Sequence, residues 1–226
     1  MGDSSNAARP LVVELVGPAG SGKSALAQRL SAQPGAIRAS VWNLPRPLLF
    51  AGALRSLPAL VGLCWGTRSV SWPILAQVIR LSALRLLLRR RLRHTRLVVL
   101  DEGPVFALSW VCVFGPAALG NGRTARWWRR RAAEWAPLLD RVVLLDAPDP
   151  ILTRRLRGRS KRDDELRDFT DREIVELAAA YRTAFAQVLR HLSPRDRVIT
   201  LPTDDASVDR LVRALGTVLD ETHRGH

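Results

Sequence analysis

The residues of this chain whose types and spacing could do chemistry begin at Gly17. The stretch GPAGSGKS fills every fixed position of the pattern G-x-x-x-x-G-K-S. Glycines let backbone N–H groups turn inward around phosphate oxygens, at a closeness that a Cβ would obstruct. In such a loop the lysine reaches the β- and γ-phosphates, and the hydroxyl ligates the accompanying Mg²⁺. The sequence therefore predicts a site for ATP and Mg²⁺ formed by Gly17, Pro18, Ala19, Gly20, Ser21, Gly22, Lys23 and Ser24.

Two acids follow the short apolar run LVVL at 97–100. A buried strand that ends in an acid places its carboxylate beside the metal of a nucleotide site, so Asp101 is predicted to share Mg²⁺ with Ser24. Glu102, or Asp101 if the register differs by one, would orient or deprotonate an acceptor hydroxyl. The alternative is that Asp101 only caps the segment that follows it.

A dense set of arginines follows the predicted strand at 141–146. Arg155 and Arg159 are four residues apart and therefore share a helix face, and Arg162 comes three residues later. Cations in this place suit the charge on a phosphoryl group in transit, so the helix from 151 is predicted to contact that group. A solvated helix paired with the acids at 163–165 is the alternative.

The loop Asn43-Leu44-Pro45-Arg46-Pro47 follows a second predicted strand at 37–42. In open α/β sheets, ligands bind outside the carboxyl ends of the strands, so Asn43 and Arg46 are candidate contacts for an acceptor substrate. A proline-fixed turn with a solvated arginine explains the same residues equally well.

The elements that must position these residues alternate along the chain. Five apolar strands alternate with helical stretches, which predicts an α/β fold with a five-stranded parallel sheet covered on both faces. The length of 226 residues suits one domain, with disordered termini at 1–9 and 221–226 and a helical acceptor-binding region at 44–96. The strands are predicted at 11–16, 37–42, 97–100, 141–146 and 197–201.

Charge and hydropathy limit the partners. A net charge of +14 will attract nucleotides, nucleic acid or anionic lipid, but no recognisable nucleic-acid module is present, so nucleic acid is not the expected partner. The apolar segment 48–65 is interrupted by Arg55 and Pro58, which argues against a span. We expect one or two short helices forming a flap over the substrate site, with peripheral membrane contact as the alternative.

The expected cellular location depends on two features that the sequence lacks. The start MGDSSNAARP has no secretory pattern, and the two cysteines lack metal-ligand spacing. A cytoplasmic protein is expected, with membrane association and a homodimer left open.

Three motifs in this order resemble those of the P-loop nucleotide and nucleoside kinases, most closely the thymidylate kinase-like proteins. They are the Gly17 loop, LDEGP at 100–104, and LLDAPDPILTRRLRGRSKRDD at 144–164. The resemblance implies a three-layer α/β/α sandwich and an ATP-dependent phosphotransferase. It gives Lys23 and Ser24 the phosphate and Mg²⁺ roles, and it makes Asp101 or Glu102 the acid at the third strand. It also implies that 151–165 is an arginine-rich lid, which carries Arg155, Arg159 and Arg162.

This chain departs from the thymidylate kinases in both substrate elements. It has Asp101-Glu102 in place of Asp-Arg, and 43–47 in place of an Arg-Glu-Pro-Gly run. The small-molecule acceptor therefore stays open between a nucleoside, a nucleotide, a sugar, an antibiotic-like metabolite and a lipid-linked alcohol. The competing functions are a P-loop ATPase or switch, and a basic protein of nucleic-acid or membrane surfaces.

Overall fold

The computed structural model describes residues 10–64, 72–92, 95–115, 122–158, 168–192, 197–204 and 207–224. Five strands form one sheet in the order β2-β3-β1-β4-β5, and every neighbouring pair is parallel. This confirms the predicted α/β class. The strands are β1 (Leu11–Val16), β2 (Ala36–Ala39), β3 (Leu97–Asp101), β4 (Arg141–Asp146) and β5 (Val198–Pro202).

Strand β1 lies at the centre of the sheet, and all six of its residues are buried. Buried Asp140 fixes its register against β4, because its carboxylate accepts from the N–H of Val12 at 2.8 Å. The N–H of Asp140 donates back to the carbonyl of Val12 at 2.9 Å. The loop after β1 therefore starts from a strand that is held on both sides.

The helices cover both faces, which confirms the three-layer sandwich. Leu11, Val13 and Leu15 face α1 and α8, whereas Val12 and Val16 face the side of α3, α4, α5 and α7. The helices are α1 (Lys23–Ser31), α2 (Arg46–Cys64), α3 (Trp72–Arg91), α4 (Pro104–Phe114), α5 (Arg123–Trp135), α6 (Asp149–Arg157), α7 (Asp171–Leu192) and α8 (Val208–Arg224).

The segment expected to form one or two short helices is a single helix of 19 residues, α2, which continues through Pro58. A proline inside a helix leaves the carbonyl four residues earlier, here that of Leu54, without its N–H partner. Both Leu54 and Pro58 are exposed, so water can satisfy that carbonyl. One helix agrees with the first of the two expected arrangements but is longer than expected, and it continues through Pro58 because the proline lies on its outer side.

Several element ends also differ from expectation, three of them by two residues or more. Strand β2 stops at Ala39 rather than at residue 42, and α6 begins at Asp149 instead of 151. Helix α8 continues to Arg224, so 221–224 are helical and not disordered. Residues 1–9 and 225–226 lie outside the described residues.

Within the described ranges, no helix is both long enough and apolar enough to cross a membrane.

Candidate functional site

The predicted phosphate loop connects β1 to α1 at the carboxyl edge of the sheet. Gly17 has φ 154°, and a Cβ there would come within 2.1 Å of the carbonyl oxygen of Leu145 on β4. Only glycine allows the loop to lie this close to the neighbouring strand. Ser24 is exposed on the first turn of α1, whereas the hydroxyl of Ser21 is buried without a hydrogen-bond partner.

Lys23 lies inside this loop and is 8% exposed. Its ammonium group donates to the carbonyls of Gly17 at 2.8 Å and Pro18 at 2.9 Å. Residues 17–24 are thus a turn of backbone that encloses one positive charge at the N-terminus of a helix. This combination of a lysine, glycine-shaped backbone and helix dipole attracts phosphate.

Asp101 ends β3 beside Leu15 of β1, and its side chain is only 4% exposed. Arg38 on β2 donates to one carboxylate oxygen. The other oxygen, Oδ1, is buried and has no hydrogen-bond partner. An unpartnered carboxylate oxygen beside a phosphate loop has the chemistry that Mg²⁺ requires.

Asp101 and the hydroxyl of Ser24 are the chain's own groups that could hold Mg²⁺. In the described part of the chain, no three His, Cys, Asp or Glu side chains cluster as a metal site. Mg²⁺ often binds through one or two carboxylates together with substrate phosphates and water, so a single buried acid fits this ion.

Glu102 adopts a left-handed backbone conformation with φ 64°, and among the described non-glycine residues it alone does so. Its carbonyl accepts from the N–H of Val41, just beyond β2, at 3.0 Å. Such a conformation costs about 1–3 kcal/mol and persists only where its surroundings fix it. The half-buried Glu102 is therefore held in a set orientation at the end of β3.

Glu14 on β1 holds the turn between β3 and α4, and this residue was not predicted from the sequence. It is fully buried in β1, and its carboxyl oxygens accept from the N–H groups of Val105 and Phe106, both at 3.0 Å. Gly103 at the N-cap of α4 has no side chain to offer, and a Cβ there would come within 2.9 Å of the Glu14 carboxyl carbon. Glu14 thus replaces the missing capping side chain of α4.

Burial raises the pKa of Glu14 to about 8, although the N–H groups of Val105, Phe106 and Gly103 act in the opposite direction. The carboxyl is therefore largely protonated at neutral pH. An acid within an otherwise apolar strand was the signal that could have singled out Glu14. Its partners, 91 and 92 residues later in the chain, could not be read from the sequence.

Arg155 on α6, the helix that follows β4, also contacts the phosphate loop. One guanidinium nitrogen donates to the carbonyl of Gly20 at 3.5 Å and to the hydroxyl of Thr203 at 3.3 Å. The other donates to the carbonyls of Thr203 and of Asp204, the latter at 3.0 Å. Arg155 therefore joins the phosphate loop to the segment after β5. Arg159 and Arg162 lie outside the described residues.

Arg182 on α7, which was not predicted from the sequence, fixes the turn between β4 and α6. It donates to both carboxylate oxygens of Asp146, at 2.8 and 3.0 Å, and to Asp149 at 2.6 Å. These bonds hold α7 against the start of the helix that carries Arg155.

Aromatic side chains line the region beyond β2 and β3. Phe106 on α4 lies edge-on to Trp42, with centroids 6.4 Å apart, and stacks on Tyr181 at 5.9 Å. The guanidinium carbon of Arg80 on α3 lies 4.1 Å from the centroid of Trp42. One turn earlier, the amide of buried Gln77 has no hydrogen-bond partner at either atom.

The two predicted acceptor contacts lie next to this cluster in the chain. Asn43 directly follows Trp42, and Arg46 is the first residue of α2; both are exposed. The described contacts give neither side chain a hydrogen bond. The sequence predicted a role for this loop but did not predict the aromatic cluster, whose rings come from the loop after β2, from α4 and from α7.

A family model described as an AAA domain matches residues 12–184, which include the Gly17 loop, the acids at 101–102 and most of α7. The chain belongs to this AAA domain family. No curated protein matches the sequence of this AAA domain protein.

Solved structures resemble it over nearly its whole length. Thymidylate kinase from Candida albicans aligns with a TM-score of 0.61 and 13% identity, covering 96% of this chain and 95% of that one. Deoxyadenosine kinase from M. mycoides, solved with bound dATP, aligns at 0.54 and 14%, covering 93% and 100%. Its complex with dCTP aligns at 0.51, with the same identity and coverage. This AAA domain protein therefore has a P-loop, kinase-like fold.

Proposed function

We propose that this protein is a P-loop kinase that transfers the γ-phosphoryl group of ATP to a small-molecule acceptor. The observation that carries the proposal is the arrangement around the phosphate loop. A glycine-shaped turn and a buried lysine follow strand β1, and a buried acid with an unpartnered oxygen ends the adjacent strand β3. Phosphoryl transfer needs positioning and charge neutralisation more than covalent chemistry, and these groups supply both.

In this proposal Lys23 neutralises charge on the β- and γ-phosphates, and Ser24 and Asp101 hold the metal. When bound at Ser24 and Asp101, Mg²⁺ would supply positive charge that offsets the charge developing on the phosphate oxygens. Arg155 would keep the phosphate loop in its nucleotide-binding conformation, because it bonds to both Gly20 in the loop and Thr203 after β5. Roles for Arg159 and Arg162 in a lid over the phosphates remain predictions.

Glu102 is the proposed base. Its carboxylate accepts the proton of an acceptor hydroxyl as that oxygen attacks the γ-phosphorus. The bond from that phosphorus to the β–γ bridging oxygen breaks, and ADP leaves with the electron pair. An acceptor that already carries a phosphate needs no base. The bond from Val41 and the Glu14 cap keep this residue at a fixed place beside β3.

The acceptor is proposed to lie against Trp42 and Arg80, near Asn43 and Arg46. Trp42 is 46% exposed, so part of its ring is accessible to a ligand. Gln77 and Arg80 share a face of α3 because they are three residues apart. Their amide and guanidinium groups together suit an acceptor with several polar atoms around a flat or compact ring.

The test is transfer of label from γ-³²P-ATP to a panel of nucleosides, nucleotides and sugars, with phosphate release followed in parallel. We expect label on one acceptor class, with Glu102→Gln losing transfer while still binding ATP. Phosphate release that is the same with and without every acceptor would instead indicate an ATPase. Arg172→Gln, an exposed change on α7, is the matched control.

A further inference from the structure

We propose that the outer face of α2 docks on an anionic phospholipid membrane. Four large apolar side chains point outward from this helix at positions 50, 54, 57 and 61, a spacing that places them on one stripe. They are exposed by 69, 52, 50 and 47%: Phe50, Leu54, Leu57 and Val61. We call these four residues the α2 stripe.

The opposite face of the same helix is already occupied. Its Gly52 packs so closely on α3 that a Cβ would meet the carbonyl of Ile79 at 2.8 Å, and Ser56 contacts Ser82 through a 2.6 Å hydrogen bond. Leu48 is also buried on this inner side, and Leu49 and Leu60 pack against the same core, so α2 carries apolar residues on both its inner and outer sides. A helix with apolar residues on two sides is normally covered on both, and here the outer side faces solvent.

The distribution of charge along the chain indicates what covers the α2 stripe. From Leu15 to Leu100 the sequence holds thirteen basic residues and no acidic one, whereas the rest of the chain is nearly balanced, with 22 basic and 21 acidic residues. Nearly all of the net charge of +14 therefore belongs to the segment that contains α2. Such asymmetry within a chain is typical of proteins that bind anionic surfaces.

The charge also lies close to the stripe. Arg46 and Arg55 are exposed on α2 itself. Arg55 acts electrostatically on Arg131 of α5, together with Arg85 and Arg130. One acid, Glu134, accepts from both Arg85 and Arg131. An apolar stripe with a basic surround combines the two forces that hold an in-plane helix at an anionic membrane surface.

Two observations favour lipid over a second copy of this chain. A symmetric pair of α2 helices would bring two strongly positive surfaces together. Pro58 has no N–H to donate to the carbonyl of Leu54, and a dry protein interface would also deprive that carbonyl of water. The headgroup region of a membrane contains water and anions, so it avoids both costs. Nucleic acid would satisfy the arginines but leave the α2 stripe uncovered.

Co-sedimentation of the full chain with vesicles tests this proposal. We expect binding to vesicles of phosphatidylcholine mixed with phosphatidylglycerol, no binding to phosphatidylcholine alone, and weaker binding as salt rises. The double variant Leu54→Ser and Leu57→Ser should weaken binding about tenfold or more, because two exposed apolar side chains are removed. Its control is Phe114→Ser, a residue of α4 with similar exposure at 49%.

Arg55→Gln tests the charge separately, because it leaves all four residues of the α2 stripe in place. We expect about a fivefold weaker affinity, against no change for Arg172→Gln in the balanced part of the chain. Circular dichroism and thermal unfolding of each variant check the fold.

Three results would overturn the proposal. The first is no sedimentation with anionic vesicles. The second is vesicle binding that the double variant leaves unchanged, which would assign it to bulk charge. The third is a concentration-dependent dimer, or retention on duplex DNA, without vesicle binding.

Discussion

Replacing Glu14 by glutamine tests whether the carboxyl group beneath α4 keeps its proton in the folded protein. Burial raises its pKa from 4.5 to about 8. The unfolded chain, in which the carboxyl is hydrated, releases the proton near its ordinary value. Between these two pH values the folded protein binds more protons than the unfolded chain, so the free energy of unfolding falls as pH rises.

The size of the effect follows from the two pKa values. One full proton of difference lowers the free energy of unfolding by about 1.4 kcal/mol for each pH unit. The penalty is absent below pH 4.5 and complete above about pH 8, where it amounts to roughly 5 kcal/mol. Glutamine cannot take up or release this proton, so E14Q should lose this part of the pH dependence.

Urea denaturation at several pH values between about 5.5 and 7.5 measures the slope for both proteins. The amide has only one acceptor oxygen, so E14Q also loses part of the α4 cap. That loss shifts stability equally at every pH, and the slope is therefore the quantity to compare. We expect the wild-type slope to be more negative by about 1 kcal/mol per pH unit or more.

Glu173→Gln is the matched control, because Glu173 is an exposed acid in the first turn of α7. The N–H of Thr170 lowers the pKa of Glu173, so this carboxylate is ionised in both states throughout the range. Its variant should keep the wild-type slope. If E14Q also keeps that slope, Glu14 titrates alike in both states and the reasoning from its burial is wrong.

Three further changes probe the phosphate side of the site. Lys23→Ala should lower turnover at least tenfold, a loss of about 1.4 kcal/mol in transition-state stabilisation, and a smaller loss in the transfer assay would contradict the assigned role. Asp101→Asn should raise the Mg²⁺ concentration needed for half-maximal transfer, and an unchanged metal titration would remove Asp101 from the metal site. Arg155→Lys should raise KM for ATP and lower stability by about 1 kcal/mol or more, since lysine cannot make the forked bonds to Thr203 and Asp204. Arg172→Lys on exposed α7 should do neither, and equal effects of the two arginine changes would argue against a local role for Arg155.

The sequence predicted those parts of the protein whose signals are local. The Gly17 loop, the strand before Asp101 and the alternation of strands with helices each depend on neighbouring residues, and the fold agrees with them. Pro58 shows where a local rule fails, because its cost depends on which side of α2 meets water. The side of a helix that faces solvent is decided by packing.

The parts that sequence reasoning missed depend on contacts between distant residues. The Arg38–Asp101 pair joins residues 63 apart, and the Glu14 cap of α4 joins residues more than 90 apart. The residues that flank each partner in the sequence do not indicate which distant residue it contacts. The aromatic cluster around Phe106 is similar, since each ring taken alone looks like an ordinary core residue.

The position of β3 between β1 and β2 also determines when this sheet can form. Strand β1 pairs with β3 and β4, and β2 pairs only with β3, so no ladder exists before β3 is available. A growing chain that stops before Leu97 contains two strands and the whole phosphate loop, yet no two of its strands are neighbours. Pairing over such sequence separations is slow and leaves strand edges open to wrong partners. The emergence of β3 from the ribosome therefore marks the point at which the N-terminal segment can first leave its unpaired state.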